Sequence, residues 1–164
     1  MNCEWAIYKP CGERAAIVKV FIKKVWCLSL ENPNELKDLK TYFSKFKEIK
    51  AAYLFGSYVS GKRNRVSDLD IAVILNEDKN IYKLKLKIIS GIIELGYDNI
   101  DLSILNNMSI VGRYEAVKYN QVLYADSDFD VNRFFSLVVR EYLDFKPYLE
   151  VQRKYLKERI FNDK

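Results

Sequence analysis

Histidine is absent from this chain of 164 residues, and cysteine is scarce. Without histidine, a Ser-His-Asp or Cys-His catalytic arrangement, a histidine general base and histidine-ligated zinc are all excluded. The three cysteines, Cys3, Cys11 and Cys27, are odd in number and have no CxxC spacing, which argues against a disulfide framework or a zinc site. Any acid or base must therefore be Asp, Glu, Lys or Tyr.

The chain also lacks a hydrophobic run long enough to cross a membrane, an internal repeat and a Gly/Ser-rich linker. Its most apolar N-terminal stretch, residues 15–30, is broken by Lys19, Lys23 and Lys24, so it is too short and too charged to cross a bilayer. We therefore expect a cytoplasmic protein with no membrane partner. The formal charge of +5 is spread over lysine-rich helix faces, and it permits an acidic or phosphorylated partner without requiring one.

What the chain does have is an alternation of helical and extended patterns, which predicts a small mixed α/β sheet of about four strands flanked by helices. Asn32, Pro33 and Glu35 are a capping signature for a first helix whose apolar residues run to Phe46. The other predicted elements are buried strands over 51–55 and 67–75, a helix over 81–95, a strand over 99–105, a helix over 109–118 and a short edge strand over 121–125.

The predicted elements divide the chain into three parts. Residues 1–31 are an N-terminal extension whose apolar spacing fits a strand and a helix equally well. Residues 32–126 form the core, and residues 127–164 form a C-terminal helical segment that packs on the core or on a partner. Because proline interrupts helices, Pro147 predicts a break or a kink that makes this segment two helices at an angle.

Two carboxylates, Asp68 and Asp70, open the second predicted strand. Residues two apart in a strand point to the same face, so both carboxylates project side by side. Such a pair suits Mg²⁺, which prefers one or two carboxylates together with phosphate oxygens and water. Asp101, on the next strand, is the natural third acid, and it would either help to hold a second ion or act as a base. Since close carboxylates repel one another, we expect a raised proton affinity when no metal is bound.

A tight turn precedes these acids, because Gly56 and Ser57 follow the first predicted strand. Glycine lets the backbone approach a phosphate closely, and Ser57 supplies a hydroxyl and an amide at the start of a helix. Lys62, Arg63 and Arg65 lie between the turn and the acids, and one or more of them could neutralise the β and γ phosphates of a triphosphate.

Each of these features also has an ordinary structural interpretation. A lone Gly-Ser turn is common in loops, a lone Asp-x-Asp usually marks a solvated loop, and a short basic run usually lies on the surface. Their order favours a site, since the turn follows one predicted strand, the acid pair opens the next and the third acid lies on a later one. By contrast, Arg113, Tyr114 and Glu115 form a polar cluster that we interpret as a surface salt bridge rather than a nucleotide contact.

The same residues resemble those of a known family. Gly56-Ser57, ten intervening residues, Asp68-Leu69-Asp70 and then Asp101 within IDLSIL resemble the motif of the minimal nucleotidyltransferases of the DNA polymerase β superfamily. The segments RYEAVKYNQVLYADSDF and REYLDFKPYLEVQRKYL resemble the tail of the antitoxin branch of that group, the partner of HEPN-domain toxins. The resemblance covers the chain from residue 32 to the C-terminus and leaves the first thirty residues unmatched.

This resemblance implies a polymerase-β-like core that transfers a nucleoside monophosphate, with ATP as donor and about two Mg²⁺ ions as cofactor. Gly56 and Ser57 would contact the triphosphate, Asp68 and Asp70 would hold magnesium, and Asp101 would complete a catalytic acidic triad. For the antitoxin branch it implies AMP transfer to a tyrosine hydroxyl of the toxin, which silences its RNase activity.

Three alternatives stay open at this stage. The acceptor could be a small hydroxylated molecule such as an aminoglycoside, or the chain could be a stoichiometric toxin-binding module with vestigial acids. Template-directed nucleic-acid synthesis is the least favoured, and direct nucleic-acid binding is not expected, because no additional basic segment for gripping a duplex is evident.

Overall fold

The computed structural model describes residues 36–61, 67–76 and 80–162. The helices of these ranges are α1 (Lys37–Phe43), α2 (Ser57–Ser60), α3 (Ile81–Glu94), α4 (Ile110–Val117) and α5 (Val131–Asn162), with a 3-10 turn over Leu105–Asn107. The strands are β1 (Ile49–Leu54), β2 (Leu69–Leu75), β3 (Ile100–Ile104) and β4 (Val122–Ala125). Helix and strand alternate along the chain, as the sequence predicts.

The four strands of the described ranges form one mixed sheet in the order β3-β2-β1-β4. Strand β1 pairs antiparallel with both β2 and β4, whereas β2 and β3 run parallel. A parallel pair needs a crossover connection, and α3 lies in the connection between β2 and β3. A four-stranded mixed sheet with flanking helices confirms the predicted fold class, and β4 lies at an edge as predicted.

Helices cover the sheet on both faces, because β1 and β2 are buried along nearly their whole length. On one face, Ala51, Tyr53 and Ala72 cluster with Tyr114 of α4 and Val138 of α5. Helices α1 and α3 contribute other fully buried side chains: Leu39, Phe43, Ile88 and Ile92. Full burial of an aliphatic or aromatic side chain of this size contributes about 1.5–3 kcal/mol, so these two layers hold the strands in place.

Helices α1 and α3 approach closely where the ring of Tyr42 lies over Gly91. The Tyr42 hydroxyl is within hydrogen-bonding distance of the backbone carbonyls of Lys87, at 3.1 Å, and Ile88, at 3.3 Å, to which it donates. A Cβ atom on residue 91 would overlap the hydroxyl oxygen and lie 2.7 Å from Cε2 of the ring. Only glycine therefore fits at this point of α3.

The far end of β2 is held by Asn106 from the 3-10 turn after β3. Its side-chain oxygen accepts from the N–H of Leu75 at 2.9 Å, and its amide nitrogen donates to the carbonyl of Leu75 at 3.1 Å. These two bonds fix the turn to the sheet and satisfy both backbone groups of the last residue of β2.

The first helix is shorter at its C-terminal end than the apolar spacing predicts. It ends at Phe43, with Ser44 as its C-cap, whereas the prediction runs to Phe46. Phe46 is still buried, and the edge of its ring meets Tyr42, so its hydrophobicity serves a turn rather than a helix. The predicted capping residues Asn32, Pro33 and Glu35 lie outside the described residues, as does the predicted extension over 1–31.

The C-terminal segment corrects the prediction made from its proline. Helix α5 runs from Val131 to Asn162 as one helix with Pro147 inside it, so the predicted break is wrong, while the predicted kink stays a prediction. Proline removes one hydrogen bond, here to the carbonyl of Leu143. Leu143 is an exposed residue, so water can satisfy that carbonyl. The division of the chain at residues 31 and 126 stays a prediction, and no helix in the described ranges has the length and hydrophobicity that a membrane span requires.

Candidate active site

Two of the predicted acids are direct neighbours in the sheet. Asp70 of β2 pairs with Asp101 of β3 in the parallel ladder, at the start of both strands. Residues paired in this way project to the same face. Asp68 directly precedes β2, and its charge acts on Asp70, so it lies near this pair. The sheet therefore brings the three acids to one end of the β2–β3 pair, although they come from separate segments of the chain.

The Gly-Ser turn lies directly beside Asp70, because β1 runs antiparallel to β2 and ends where β2 begins. The N–H of Phe55 donates to the carbonyl of Asp70 at 3.0 Å, and Gly56 follows with a φ of +70°. A Cβ on Gly56 would overlap Oδ2 of Asp70 and lie 2.6 Å from its Cγ. Glycine is thus required here both by the backbone conformation and by the space that Asp70 takes up. The sequence motif does not predict this contact.

Ser57 begins the helical turn α2, which ends at Gly61 with a φ of +71°, as the predicted turn-then-helix layout requires. Its backbone N–H hydrogen-bonds the Asp70 carboxylate. The turn therefore orients Asp70 as well as beginning the helix. This second role could not be inferred from the motif, which only indicates that the turn and the acids lie close together.

The electrostatics of the site act against a negative charge on Asp70. Partial burial is the largest cause that raises the pKa of this carboxyl above its ordinary value, and the charges of Asp101 and Asp68 raise it further. The hydrogen bond from Ser57 has the opposite effect, since it stabilises the carboxylate. The raised proton affinity expected of clustered acids is therefore found at Asp70.

The donor set suits a hard divalent cation such as Mg²⁺, because all three candidate ligands are carboxylates and two of them are adjacent in register. The fit is incomplete in one respect. Within the described ranges, no three Asp, Glu, Cys or His residues are already arranged so that they could hold a metal ion together. Asp70 nevertheless experiences the charges of both Asp68 and Asp101, so the three lie within electrostatic range of one another.

The structure does not test the role of the predicted basic residues. Lys62, Arg63 and Arg65 lie outside the described residues, so their assignment to the triphosphate stays a prediction.

Asp68 and Asp101 are exposed and Asp70 is half-buried, so the acids are accessible to solvent.

Helix α4 carries the polar cluster that the sequence analysis interprets as a salt bridge. Arg113 pairs with Glu141 of α5 at 3.2 Å, and Glu115 pairs with Lys118, the C-cap residue of α4. Tyr114 is instead a core residue: it is buried and its ring stacks on Tyr142 with centroids 3.8 Å apart and planes 4° from parallel. Burial, with smaller contributions from neighbours that include Tyr142, raises the pKa of Tyr114 to about 12. The cluster therefore joins two helices and does not belong to the acidic site.

A glycine turn that contacts paired carboxylates at the start of two parallel strands is suited to binding metal ions and nucleotide phosphates. The family model for "Polymerase beta, Nucleotidyltransferase" matches residues 37–129, which are 93 of the 164 residues. The chain therefore belongs to the polymerase β nucleotidyltransferase family. No curated protein matches the chain.

Several solved structures are similar to the chain. A chain of a toxin–antitoxin crystallised with AMP-PNP is 27% identical, with a TM-score of 0.53, and the match covers 78% of this chain and 98% of that one. A chain of a mutant MntA-HpeT toxin–antitoxin is 22% identical, with a TM-score of 0.59 and coverages of 78% and 98%. A Shewanella oneidensis chain is 20% identical, with a TM-score of 0.51 and coverages of 79% and 99%. The last two likenesses establish the fold only.

Proposed function

We propose that this chain is a magnesium-dependent nucleotidyltransferase that transfers AMP from ATP to a tyrosine hydroxyl of a HEPN-domain toxin, and so acts as its antitoxin. The observation that carries the proposal is the Gly56 turn against Asp70, with Asp101 in register on the next strand. The 27% identical toxin–antitoxin chain crystallised with AMP-PNP supports both the nucleotide and the biological setting.

Each residue of the site has a role in this proposal. Asp68 and Asp70 would hold magnesium, and Asp101 would be a further ligand or the base. The turn at Gly56 and Ser57 holds Asp70 in its orientation and provides the surface on which the triphosphate lies. When bound, the metal would neutralise the phosphate charge that builds up during displacement. Lys62, Arg63 and Arg65 are the proposed cationic partners of the β and γ phosphates.

The proposed step is a single displacement at the α-phosphorus of ATP. The acceptor hydroxyl oxygen forms a bond to that phosphorus, and the bond from the phosphorus to the oxygen that bridges to the β-phosphate breaks. Pyrophosphate leaves with that oxygen, and the hydroxyl proton passes to a nearby carboxylate, for which exposed Asp101 is suitably placed. Since Asp68 and Asp101 are exposed, a side chain on the surface of a folded protein can reach the site.

The test uses ATP labelled either at the α or at the γ phosphate, magnesium, and a cognate HEPN protein as acceptor. We expect label on a tyrosine of the HEPN protein from α-labelled ATP only. An Asp68→Asn, Asp70→Asn variant should lose at least about 1,000-fold of the rate, because charge stabilisation in the transition state is removed. Asp144→Asn, an exposed acid on α5, is the matched control and should behave like the parent.

Other outcomes would overturn parts of the proposal. Label on an aminoglycoside but not on the HEPN protein would make the acceptor wrong. If the double asparagine variant protected cells from the toxin as well as the parent does, catalysis would be unnecessary and the chain would be a stoichiometric binding module. Label from the γ position would indicate phosphoryl transfer in place of nucleotidyl transfer.

A further inference from the structure

Helix α5 has two halves with different surroundings. The first half is anchored to the core by buried Val138, by the stack of Tyr142 on Tyr114 and by the Glu141–Arg113 ion pair at 3.2 Å. From residue 150 to residue 161 every position is exposed, although the helix continues to Asn162. At 1.5 Å per residue, the exposed part is a helix about 20 Å long whose direction is fixed by its anchored half.

The exposed half carries large apolar side chains at helical spacing. Tyr148 is 67% exposed, Tyr155 64% and Ile160 60%. Two further exposed apolar residues lie between them along the helix: Val151, 53% exposed, and Leu156, 58% exposed. Spacings of three, four and five residues place all five on about half of the helix circumference. Several large side chains exposed together on one face are typical of an interaction surface. We call residues 148–161 the docking arm.

The charge of this region is strongly biased. Residues 145–162 contain five basic residues and two acidic ones, a net charge of +3. Two of the cations already have acidic partners four residues away, in the Lys146–Glu150 pair at 3.7 Å and the Lys154–Glu158 pair at 4.0 Å. Arg159 is one turn from both Tyr155 and Leu156 and lies between them on the helix surface, so it is within the apolar face. A partner that covers this face must therefore place a carboxylate near Arg159.

We infer that the docking arm binds an acidic protein surface, an apolar groove with a carboxylate opposite Arg159, and that this protein is the acceptor of the nucleotidyl group. The inference rests on the proposed function for the identity of that acceptor. Helix-in-groove recognition uses anchors at this spacing. Tyrosine and arginine, which the apolar face provides at positions 155 and 159, are enriched at the core of protein interfaces.

Two other occupants are less compatible with these side chains. A second copy of the arm would bring together two surfaces that each carry a net charge of +2, from four basic and two acidic residues over 148–161, so like charges would oppose pairing. A lipid surface would require insertion of an apolar face with the Arg159 guanidinium within it, where an ionised group is costly. A protein carboxylate removes that difficulty by forming a bidentate pair with the guanidinium.

The experiment measures the affinity of the full-length chain for its cognate HEPN protein, by calorimetry at two salt concentrations. A Tyr155→Ala, Leu156→Ala, Ile160→Ala variant should bind at least about 100-fold more weakly, because three anchors of the interface are removed. Arg159→Gln should bind about 10-fold more weakly and show a smaller salt dependence. Lys146→Ala, Glu150→Ala, on the opposite face with unchanged net charge, should bind like the parent.

Nucleotidyl transfer measured on the same variants separates the two claims. If the arm holds the acceptor, the triple variant should have a raised KM for the HEPN protein and a kcat close to that of the parent. Equal affinity of parent and triple variant overturns the docking inference, even if the HEPN protein is labelled. Arm-dependent binding without any label on the HEPN protein supports the docking surface and overturns the proposed activity, and absence of binding by the parent overturns both.

Two further measurements test the alternative occupants directly. In sedimentation of the chain alone, we expect no dimer that is present in the parent and lost in the triple variant. In binding to phosphatidylserine–phosphatidylcholine vesicles, we expect no difference between the parent and the triple variant. Either result, a dimer or a vesicle complex that depends on Tyr155, Leu156 and Ile160, would overturn the inference of a protein partner. Because the arm is exposed, circular dichroism of the triple variant should match that of the parent.

Discussion

The Cα atom of Gly56 lies against the carboxylate of Asp70, with no room between them for even a methyl group. This contact joins the turn after β1 to the acid on β2. It explains why the two parts of the motif belong together, since a change in the turn displaces the carboxylate directly. The Ser57 N–H holds the same carboxylate from the turn.

Replacing Gly56 with alanine should therefore damage the site more than the fold. The new Cβ would displace Asp70, and a displacement of about 1 Å at a reacting centre can lower a rate by about 100-fold. We expect at least this loss of nucleotidyl transfer, measured with saturating ATP. Gly61→Ala is the control, because Gly61 has nearly the same φ but no atom within 4 Å of an added Cβ. If both variants lost the same fraction of the transfer rate, backbone strain alone would explain the loss, and not the contact with Asp70.

Asp70→Asn should raise the melting temperature of the metal-free protein. The neighbours Asp101 and Asp68, together with burial, disfavour the charged form of Asp70, and asparagine removes that charge while its side-chain oxygen can still accept from Ser57. Magnesium with a non-hydrolysable ATP analogue should raise the melting temperature of the parent, since a ligand that binds only the folded state stabilises it. This increase should be much smaller in Asp70→Asn. A similar increase in both proteins would argue against Asp70 as a ligand.

The raised pKa of Tyr114 predicts that the protein loses stability at alkaline pH. Its pKa is raised to about 12 in the folded chain from the ordinary value of 10.0. Between these two values the unfolded chain releases the phenol proton and the folded chain retains it, so the free energy of unfolding falls as pH rises. Below pH 10.0 this contribution is fully retained. Urea unfolding at pH 8 and at pH 11 should show a smaller decrease for Tyr114→Phe than for the parent, and an equal decrease would contradict the assignment.

Gly91→Ala should destabilise the packing of α1 on α3. The added Cβ would overlap the Tyr42 hydroxyl, and such overpacking typically costs about 1–3 kcal/mol. A double-mutant cycle with Tyr42→Ala, followed by urea unfolding, should show that the cost of Gly91→Ala decreases when the ring is absent. At Gly96, which has a φ of +94° and open space around it, alanine should show no coupling to Tyr42.

Much of the fold is predictable from local patterns, because each strand and helix has its own apolar spacing. The pairing of Asp70 with Asp101 is not predictable in this way. The apolar spacing indicates that both residues lie on strands, but it gives neither the order of the strands nor their register. The resemblance to a known family supplies that information, and the ladder between β2 and β3 agrees with it.

The remaining differences arise where contacts distant in sequence decide the structure. The fit of Gly91 to Tyr42 has no local signal, since it joins two helices that are separated by both β1 and β2. The break predicted at Pro147 is wrong, because the rule for proline describes an intrinsic cost that the rest of a helix can outweigh. Leu143, whose carbonyl has no N–H partner at Pro147, is exposed, and Val138 in the first half of α5 is buried in the core.

Asp101 is located on β3, an outermost strand of the described sheet, and its side chain is exposed. In the proposed reaction, water would therefore reach the site as an acceptor does, and the acids alone would give a tyrosine no advantage over hydrolysis. Discrimination against water would then come from the time for which the acceptor is held near the nucleotide. An enzyme built in this way should hydrolyse ATP slowly to AMP and pyrophosphate when its acceptor is missing.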